Sequence, residues 1–366
     1  MNNTQQSRSF PPFWHTLFLL ALIAAGVWFF LKIGTIVAYF AISGAIAYVL
    51  NPAVEAMCAR RIPRGIAILL VFLFFIGIVV AGLVFIIPPA AKQFDTLVEN
   101  MPQYFETLKG AWERVVRLSK STDLPVRIET LPEQVAGDLQ NVVASAGKSL
   151  FSSIGRFFSG LAALIIVPIL VYYFLKDGPL MRSGFLRLMP AQYRSETDRV
   201  LTQINKALGG FIRGQLKLCL AMGVLTFLSL VFVPGMQYAL LFGIIAGVTE
   251  FIPYLGPILA LIGPLIFATT VSWKLVAIVL VLFMIIQVIE GNILAPRIIG
   301  SDVNMHPAMI MLVLMAGGNV GGIVGMIAAI PVAVILKVLF DYFYIGKVVT
   351  PSENPAAAGP EGGGAV

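Results

Sequence analysis

The feature that most constrains this chain is a series of apolar runs, each long enough to cross a lipid bilayer as a helix. A helical span needs about 20 apolar residues. The runs follow one another as 13–31, 33–50, 66–87, 154–175, 215–233, 238–271, 275–294 and 307–340. Because lipid offers backbone groups no hydrogen-bond partner, such spans must be helical, and the alternating pattern of a membrane barrel is absent. We therefore predict an all-α, polytopic helical membrane protein with about eight membrane segments.

The composition agrees with that prediction and excludes several functions. Only 12% of residues are charged, against about 25% in soluble domains, and the mean hydropathy is +0.92. The net charge of +7 comes from basic residues beside apolar runs, which indicates membrane orientation rather than nucleic-acid binding. With two histidines and no ATPase motif, no enzyme activity, catalytic residue, metal site or cofactor is expected, and transport energy would come from a gradient.

The charge pattern also predicts how the chain is organised. In order we expect a disordered N-terminus (1–12), three spans (13–90), an amphipathic helical segment (91–150), a fourth span (151–176), an amphipathic helix (177–213), a membrane transport region (214–340) and a disordered tail (341–366). The loop before the third span and the 177–213 helix are basic and should be cytoplasmic, whereas 91–150 is nearly neutral and should be external. Both termini are then cytoplasmic.

A first candidate site lies in the GVTEFIPYLGP stretch, residues 247–257. A carboxylate such as Glu250 in an apolar run usually faces a cavity or a partner. Pro253 and Pro257 remove backbone donors and Gly256 permits unusual dihedral angles, so the helix should break here and free carbonyl groups for a solute or cation. Tyr254 lies in the same break, and Pro257 is a candidate hinge. The alternative is a simple loop with Glu250 near water.

Two further stretches carry candidate residues. Gln287 and Glu290 are three residues apart and share a helix face, with Asn292 close behind. The alternative pairs Glu290 with Arg297 in solvent. In the last run Asn319 is the residue expected to touch a ligand, among small residues that permit close helix packing and serve as candidate hinges, namely Gly317, Gly318, Gly321 and Gly322.

Two of the runs, 238–271 and 307–340, are too long for single ordinary spans. Each follows a full span and is interrupted near its middle, at 253–257 and 317–322. We therefore predict broken or re-entrant helices, arranged as an inverted repeat of 214–271 and 275–340. Re-entrant hairpins would place Lys274 outside and Arg297 inside, and straight spans would reverse both.

Several motifs resemble those of the autoinducer-2 exporter family of bacterial membrane proteins, which includes the PerM-like permeases. They are YYFLKDG (172–178), FIRGQ (211–215), FIPYLGP (251–257), QVIEGNILAPRIIG (287–300) and MHP (305–307). The resemblance covers residues 13–340 in order. It implies a bacterial inner-membrane transporter with about eight spans, an external segment after the third span, and a homo-oligomer, which the family suggests is a pentamer.

Three functions remain open at this stage. The first is secondary transport or export of a small polar solute, since some family members are linked to the quorum signal autoinducer-2. The second is sodium–proton antiport, as in other members, with Glu250 and Glu290 carrying the coupled charge. The third is a non-transporting membrane scaffold. The expected partners are therefore the solute or ion, membrane lipid and further copies of the chain, with no nucleic acid.

Overall fold

The structure, a computed structural model, describes residues 34–120, 161–299 and 305–344. Most of the described part is helical and none of it is strand, which confirms the predicted all-α class. Its main helices are α1 Gly34–Ala59, α2 Arg64–Phe85, α3 Ile87–Lys120, α4 Leu161–Leu188, α5 Arg194–Val231, α6 Ala239–Thr249, α7 Leu255–Val271, α8 Trp273–Ile289, α9 Ala295–Ile298 and α10 Pro307–Phe340. The predicted first span and both predicted disordered ends lie outside the described residues, apart from 341–344.

Five segments are long and apolar enough to cross a bilayer, judged by length and composition. They are Ile36–Ala59, Arg64–Tyr104, Ala191–Val231, Trp273–Ile298 and Pro307–Tyr344. Large apolar side chains cover their outer faces; Phe74, for example, is 71% exposed. Exposed apolar surface on this scale is expected where lipid, rather than water, surrounds a protein. The structure thus confirms a polytopic membrane protein.

The N-terminal bundle is formed by α1, α2 and α4, which share a core around Val54, Ile68 and Val171. Pro179 lies inside α4 and has no N–H to give to the carbonyl of Leu175. The Arg64 side chain replaces that donor, with Nε 2.9 Å and Nη2 2.6 Å from the Leu175 oxygen. The side chain of an arginine on α2 therefore supplies the hydrogen bond that Pro179 removes from α4.

The same arrangement joins the bundle to the rest of the molecule. Pro52 lies inside α1 and leaves the carbonyl of Tyr48 without its helical donor. Arg213 of α5 donates to that oxygen at 3.2 Å. Gly209 permits the close crossing, since a Cβ there would lie 3.2 Å from the Tyr48 ring. Helix α5 itself runs without interruption across residue 213, where the sequence analysis placed a boundary between an amphipathic helix and a membrane span.

The first 34-residue run folds back on itself as a hairpin of α6 and α7. Phe242 of α6 touches Gly263 of α7, where a Cβ would lie 2.7 Å from the Phe242 ring. The arms have 11 and 17 residues. At 1.5 Å per residue they are about 16 and 25 Å long. Neither arm alone crosses a hydrocarbon core about 30 Å thick, as a re-entrant hairpin requires.

The second long run, α10, also folds back. Its backbone leaves the helical region at Gly321 and Gly322, and Gly322 has a φ of +59° that favours glycine. In a straight helix Gly317 and Gly325 would be about 12 Å apart. Here a Cβ on Gly317 would lie 2.5 Å from the Gly325 oxygen. The break therefore occurs at two of the four predicted hinge glycines, while Gly317 and Gly318 form the packed contact between the arms.

Helix α3 covers the first hairpin. The Gln93 side chain accepts a hydrogen bond from the Leu241 N–H at the start of α6, at 3.0 Å. The hydroxyl groups of Tyr104 and Tyr238 lie 3.0 Å apart, and both rings contact Phe267. The first half of the predicted external segment is thus one helix packed on the transport region; its second half, from residue 121, lies outside the described residues.

Candidate functional site

The site begins with an unusually close contact between α5 and α6. A Cβ on Gly243 would lie 2.9 Å from the Gly223 oxygen, and one on Gly247 would lie 2.9 Å from the Cys219 oxygen. Small residues let helix backbones approach in this way, and Gly243 and Gly247 have the four-residue spacing that keeps them on one face. The contact brings α5 against the C-terminal end of α6, where Glu250 follows.

The turn after α6 is held in a strained conformation. Tyr254 has a φ of +65° and a ψ of −40°, and the N–H of Leu255 donates to the Pro253 oxygen at 2.8 Å. A bond between residues two apart around such a centre is the rare γ-turn. Strain of this kind concentrates at functional sites. The sequence analysis expected the unusual dihedral angles at Gly256; that expectation is wrong, because the positive φ falls on Tyr254.

Gly256 is required for space instead. A Cβ on it would lie 2.4 Å from the Thr249 oxygen. The Thr249 hydroxyl donates to the Gly256 oxygen at 3.1 Å, which closes the turn. The Gln215 amide donates to the Glu250 backbone oxygen at 2.6 Å. These two carbonyls of the break are therefore occupied by the protein, rather than free for a ligand as the broken helix had suggested.

The turn opens onto a cavity of about 850 Å³ between the first hairpin, α5, α8 and α10. Sixteen of its twenty-one lining residues are apolar or glycine. The other five are Gln215, Glu250, Tyr254, Gln287 and Glu290. Such a cavity, mostly apolar with a few converging polar groups, is typical of a small-molecule site.

The two carboxyl groups of the cavity are neighbours that interact directly with each other. Glu250 is 2% exposed, whereas Glu290 is half-buried. Helix α8 gives way at Glu290 to a π-helical turn, Glu290–Leu294, a local feature frequently found at functional sites. The Gln287 amide donates to Glu290 Oε2 at 2.8 Å, so the predicted shared face exists. Within the described residues Glu290 makes no ion pair with Arg297.

The structure separates other predicted residues from this cavity. Pro253 and Pro257 line it, and Gly256 supports it from behind. Asn292 points elsewhere and donates to the Val288 oxygen at 3.0 Å. Asn319 is exposed near the tip of the second hairpin, and α10 contributes to the cavity only through Ile310 and Ile330, away from that tip. A role for Asn292 or Asn319 in binding stays a prediction without support from this cavity.

Gln215 is the site residue that the sequence analysis missed. It is 3% exposed and holds the backbone of Glu250, although 35 residues separate the two in sequence. An uncharged amide inside an apolar helix was the available signal, because such groups seek a partner in lipid. The FIRGQ motif ends on this residue.

Comparison with known proteins agrees with the geometry. The model of the family described as "AI-2E family transporter" matches residues 17–345. The chain is 34% identical over 329 residues to "Putative transport protein YrrI" of Bacillus subtilis, covering 90% of this chain and 92% of the relative. It is 26% identical over 344 residues to "Putative permease PerM" of Escherichia coli, covering 90% and 94%. These matches confirm the resemblance drawn from the sequence motifs, and the chain belongs to the AI-2E family of membrane transporters.

Proposed function

We propose that this chain is a secondary transporter of a small polar solute and that the solute binds in the cavity between the first hairpin and α8. The observation that carries the proposal is the convergence of Gln215, Glu250, Gln287 and Glu290 on one mostly apolar cavity. The polar groups would orient the solute, and the apolar walls would accommodate its body. Transporters of the inverted-repeat type bind their substrates at broken helices, and the break of the first hairpin borders this cavity.

A second candidate, sodium–proton antiport, is favoured by the contact between Glu250 and Glu290. Ionised carboxylates are acceptors only, so a hydrogen bond between two carboxyl groups requires a proton on one of them. A cation could compete for that position. The solute hypothesis ranks first because most of the cavity wall offers a bare ion no oxygen ligand.

Purified protein in liposomes separates these functions. One arm measures exchange of labelled short-chain polyols, amines and carboxylates, and the other follows the internal pH after sodium is added to liposomes with an imposed pH gradient. The proposal expects exchange of at least one organic solute above protein-free liposomes. Dissipation of the pH gradient by sodium, without organic exchange, would favour the antiporter. If neither solute exchange nor a sodium-dependent change in internal pH is seen, transport is refuted and the scaffold hypothesis is the one that survives.

We also propose that the chain resides in the bacterial inner membrane with both termini cytoplasmic. The support is the basic character of the connection between α1 and α2, where Arg60 and Arg61 lie in the loop and Arg64 begins α2.

A further inference from the structure

Four of the five polar side chains in the described lining offer hydrogen-bond acceptors, namely two carboxyl groups and two amide oxygens, and the fifth, the Tyr254 hydroxyl, can donate or accept. Gln215 Nε2 is used by the Glu250 backbone oxygen, whereas Gln215 Oε1 is buried and has no partner in the described part of the chain. The Gln287 amide likewise donates to Glu290, so the Gln287 Oε1 atom is left as an acceptor. A buried acceptor without a partner is costly, so Gln215 Oε1 indicates a donor that arrives with the ligand.

The charge of the cavity is negative. Among the described residues that line it there is no Lys, Arg or His. Arg213 on α5 donates to the Tyr48 carbonyl, and Arg297 beyond α8 is exposed. The Cys219 thiol on α5 and the Tyr254 hydroxyl in the γ-turn also belong to this region, and neither group can supply a positive charge. An anionic solute would therefore meet like charge and no counter-charge.

The size and walls of the cavity argue against a bare alkali ion. A hard metal cation needs a close shell of oxygen ligands, and most of this wall, sixteen apolar or glycine residues around a volume of about 850 Å³, offers none. An organic cation can use the whole space. Its hydrocarbon part would contact the apolar walls, and the rings of Phe211, Phe283 and Tyr254 in the lining suit a cationic group.

We propose that the cavity binds an organic ammonium ion, which donates to Gln215 Oε1 and to the Glu250–Glu290 pair in place of the proton held between those carboxyl groups. The exchange balances: the ammonium ion enters, the shared proton leaves to water, and both carboxylates then accept N–H groups. The inference rests on the proposed transport function and names its substrate class. It also assigns Gln215 as a residue that touches the solute.

Binding can be tested without transport, using three four-carbon probes of similar shape. n-Butylammonium, 1-butanol and butyrate are titrated into the full chain in lipid nanodiscs, and the heat is measured in two buffers of different ionisation enthalpy. We expect butylammonium to bind at least about tenfold more tightly than the other two, which corresponds to 1.4 kcal/mol. We also expect proton release on binding. Equal binding of butanol or butyrate, or binding without proton release, would overturn the inference.

Variants identify the groups involved. Glu290→Gln and Gln215→Met should each weaken butylammonium binding about tenfold or more, because each removes an acceptor for a charged donor. Glu55→Gln is the matched control, since this carboxylate is exposed and bonded to Asn51 far from the cavity. Gln215→Met also removes a bond to Glu250 and could impair folding; Glu290→Gln avoids that risk. Unchanged affinity in Glu290→Gln would refute the site.

The outcome is separable from that of the transport assay. Binding of butylammonium by a protein that moves no solute would retain this site and reject transport. Exchange of polyols by a protein that does not bind butylammonium would retain transport and reject the ammonium ion as its substrate class.

Discussion

Replacing Gly256 with alanine should destabilise the turn that positions Glu250. The added Cβ would lie 2.4 Å from the Thr249 oxygen, 2.7 Å from its carbonyl carbon and 2.9 Å from the Glu250 Cα. All three are backbone atoms, so no side-chain rotation relieves the overlap. Since α6 is held against α5 by its own close contacts, the turn must move instead, together with the carboxyl group it carries.

The magnitude follows from that overlap. Overpacking a tight contact costs about 1–3 kcal/mol, and a backbone contact this short lies at the upper end. A loss of about 3 kcal/mol corresponds to roughly 4 °C in the melting temperature of a chain of 366 residues. Thermal unfolding of the purified protein in mild detergent measures it. Solute exchange in liposomes should fall as well, because Glu250 is displaced.

Gly77→Ala is the matched control for this prediction. Gly77 lies on the exposed face of α2, and a Cβ there would meet nothing within 4 Å. Alanine is the better helix former by about 1 kcal/mol, so this variant should be unchanged or slightly more stable. A Gly256→Ala protein that melts and transports like the wild type would refute the assigned turn geometry.

Three further predictions test the bundle, the topology and the assembly. Arg64→Ala should cost about 1.5–3 kcal/mol of stability, because the Leu175 carbonyl loses a charged donor. In a Pro179→Ala background the loss should be smaller, because residue 179 regains its N–H. Equal losses in the two backgrounds, measured by thermal unfolding in a double-mutant cycle, would show that Arg64 does not replace the donor missing at Pro179. Lys274→Cys, in a chain without the two native cysteines, should react with a membrane-impermeant thiol reagent in intact cells if the hairpins are re-entrant; reaction only after the cells are opened would indicate straight spans. Native mass spectrometry in mild detergent should show a homo-oligomer, for which the family suggests five copies, and a spectrum of monomer alone would count against assembly.

Much of the fold could be predicted because membrane helices follow from local composition. The apolar runs predicted the described spans, and the Pro- and Gly-containing interruptions predicted where both long runs turn back. Which residue of the first turn carries the unusual dihedral angles could not be predicted from the sequence. Gly256 was assigned unusual dihedral angles from its residue type alone, whereas the strain falls on Tyr254 and Gly256 is needed for its missing side chain. Only the neighbouring Thr249 carbonyl distinguishes these two roles.

The site was predicted in part for a similar reason. Glu250, Gln287 and Glu290 stood out because charged and amide groups are rare in apolar runs. Gln215 was missed although it is likewise an amide inside an apolar helix, because its partner, the Glu250 carbonyl, lies beyond another helix. The Gly243–Gly223 contact was missed because it depends on which helices lie side by side, and no local period records that. Asn319 was included because it is polar, but the second hairpin carries it away from the cavity.

The most direct test of the central claim is solute exchange in liposomes by wild type, Glu250→Gln and Glu55→Gln, with labelled butylammonium beside the polyol and carboxylate probes. The Glu250→Gln side chain keeps its shape at this buried position of the cavity lining but can no longer carry a negative charge or share a proton with Glu290. We predict that wild type and Glu55→Gln exchange the same solute at the same rate, and that Glu250→Gln is slower by about tenfold or more, as expected when a charged hydrogen bond is lost. Folded Glu250→Gln protein that exchanges solute at the wild-type rate would contradict the claim that transport passes through this cavity.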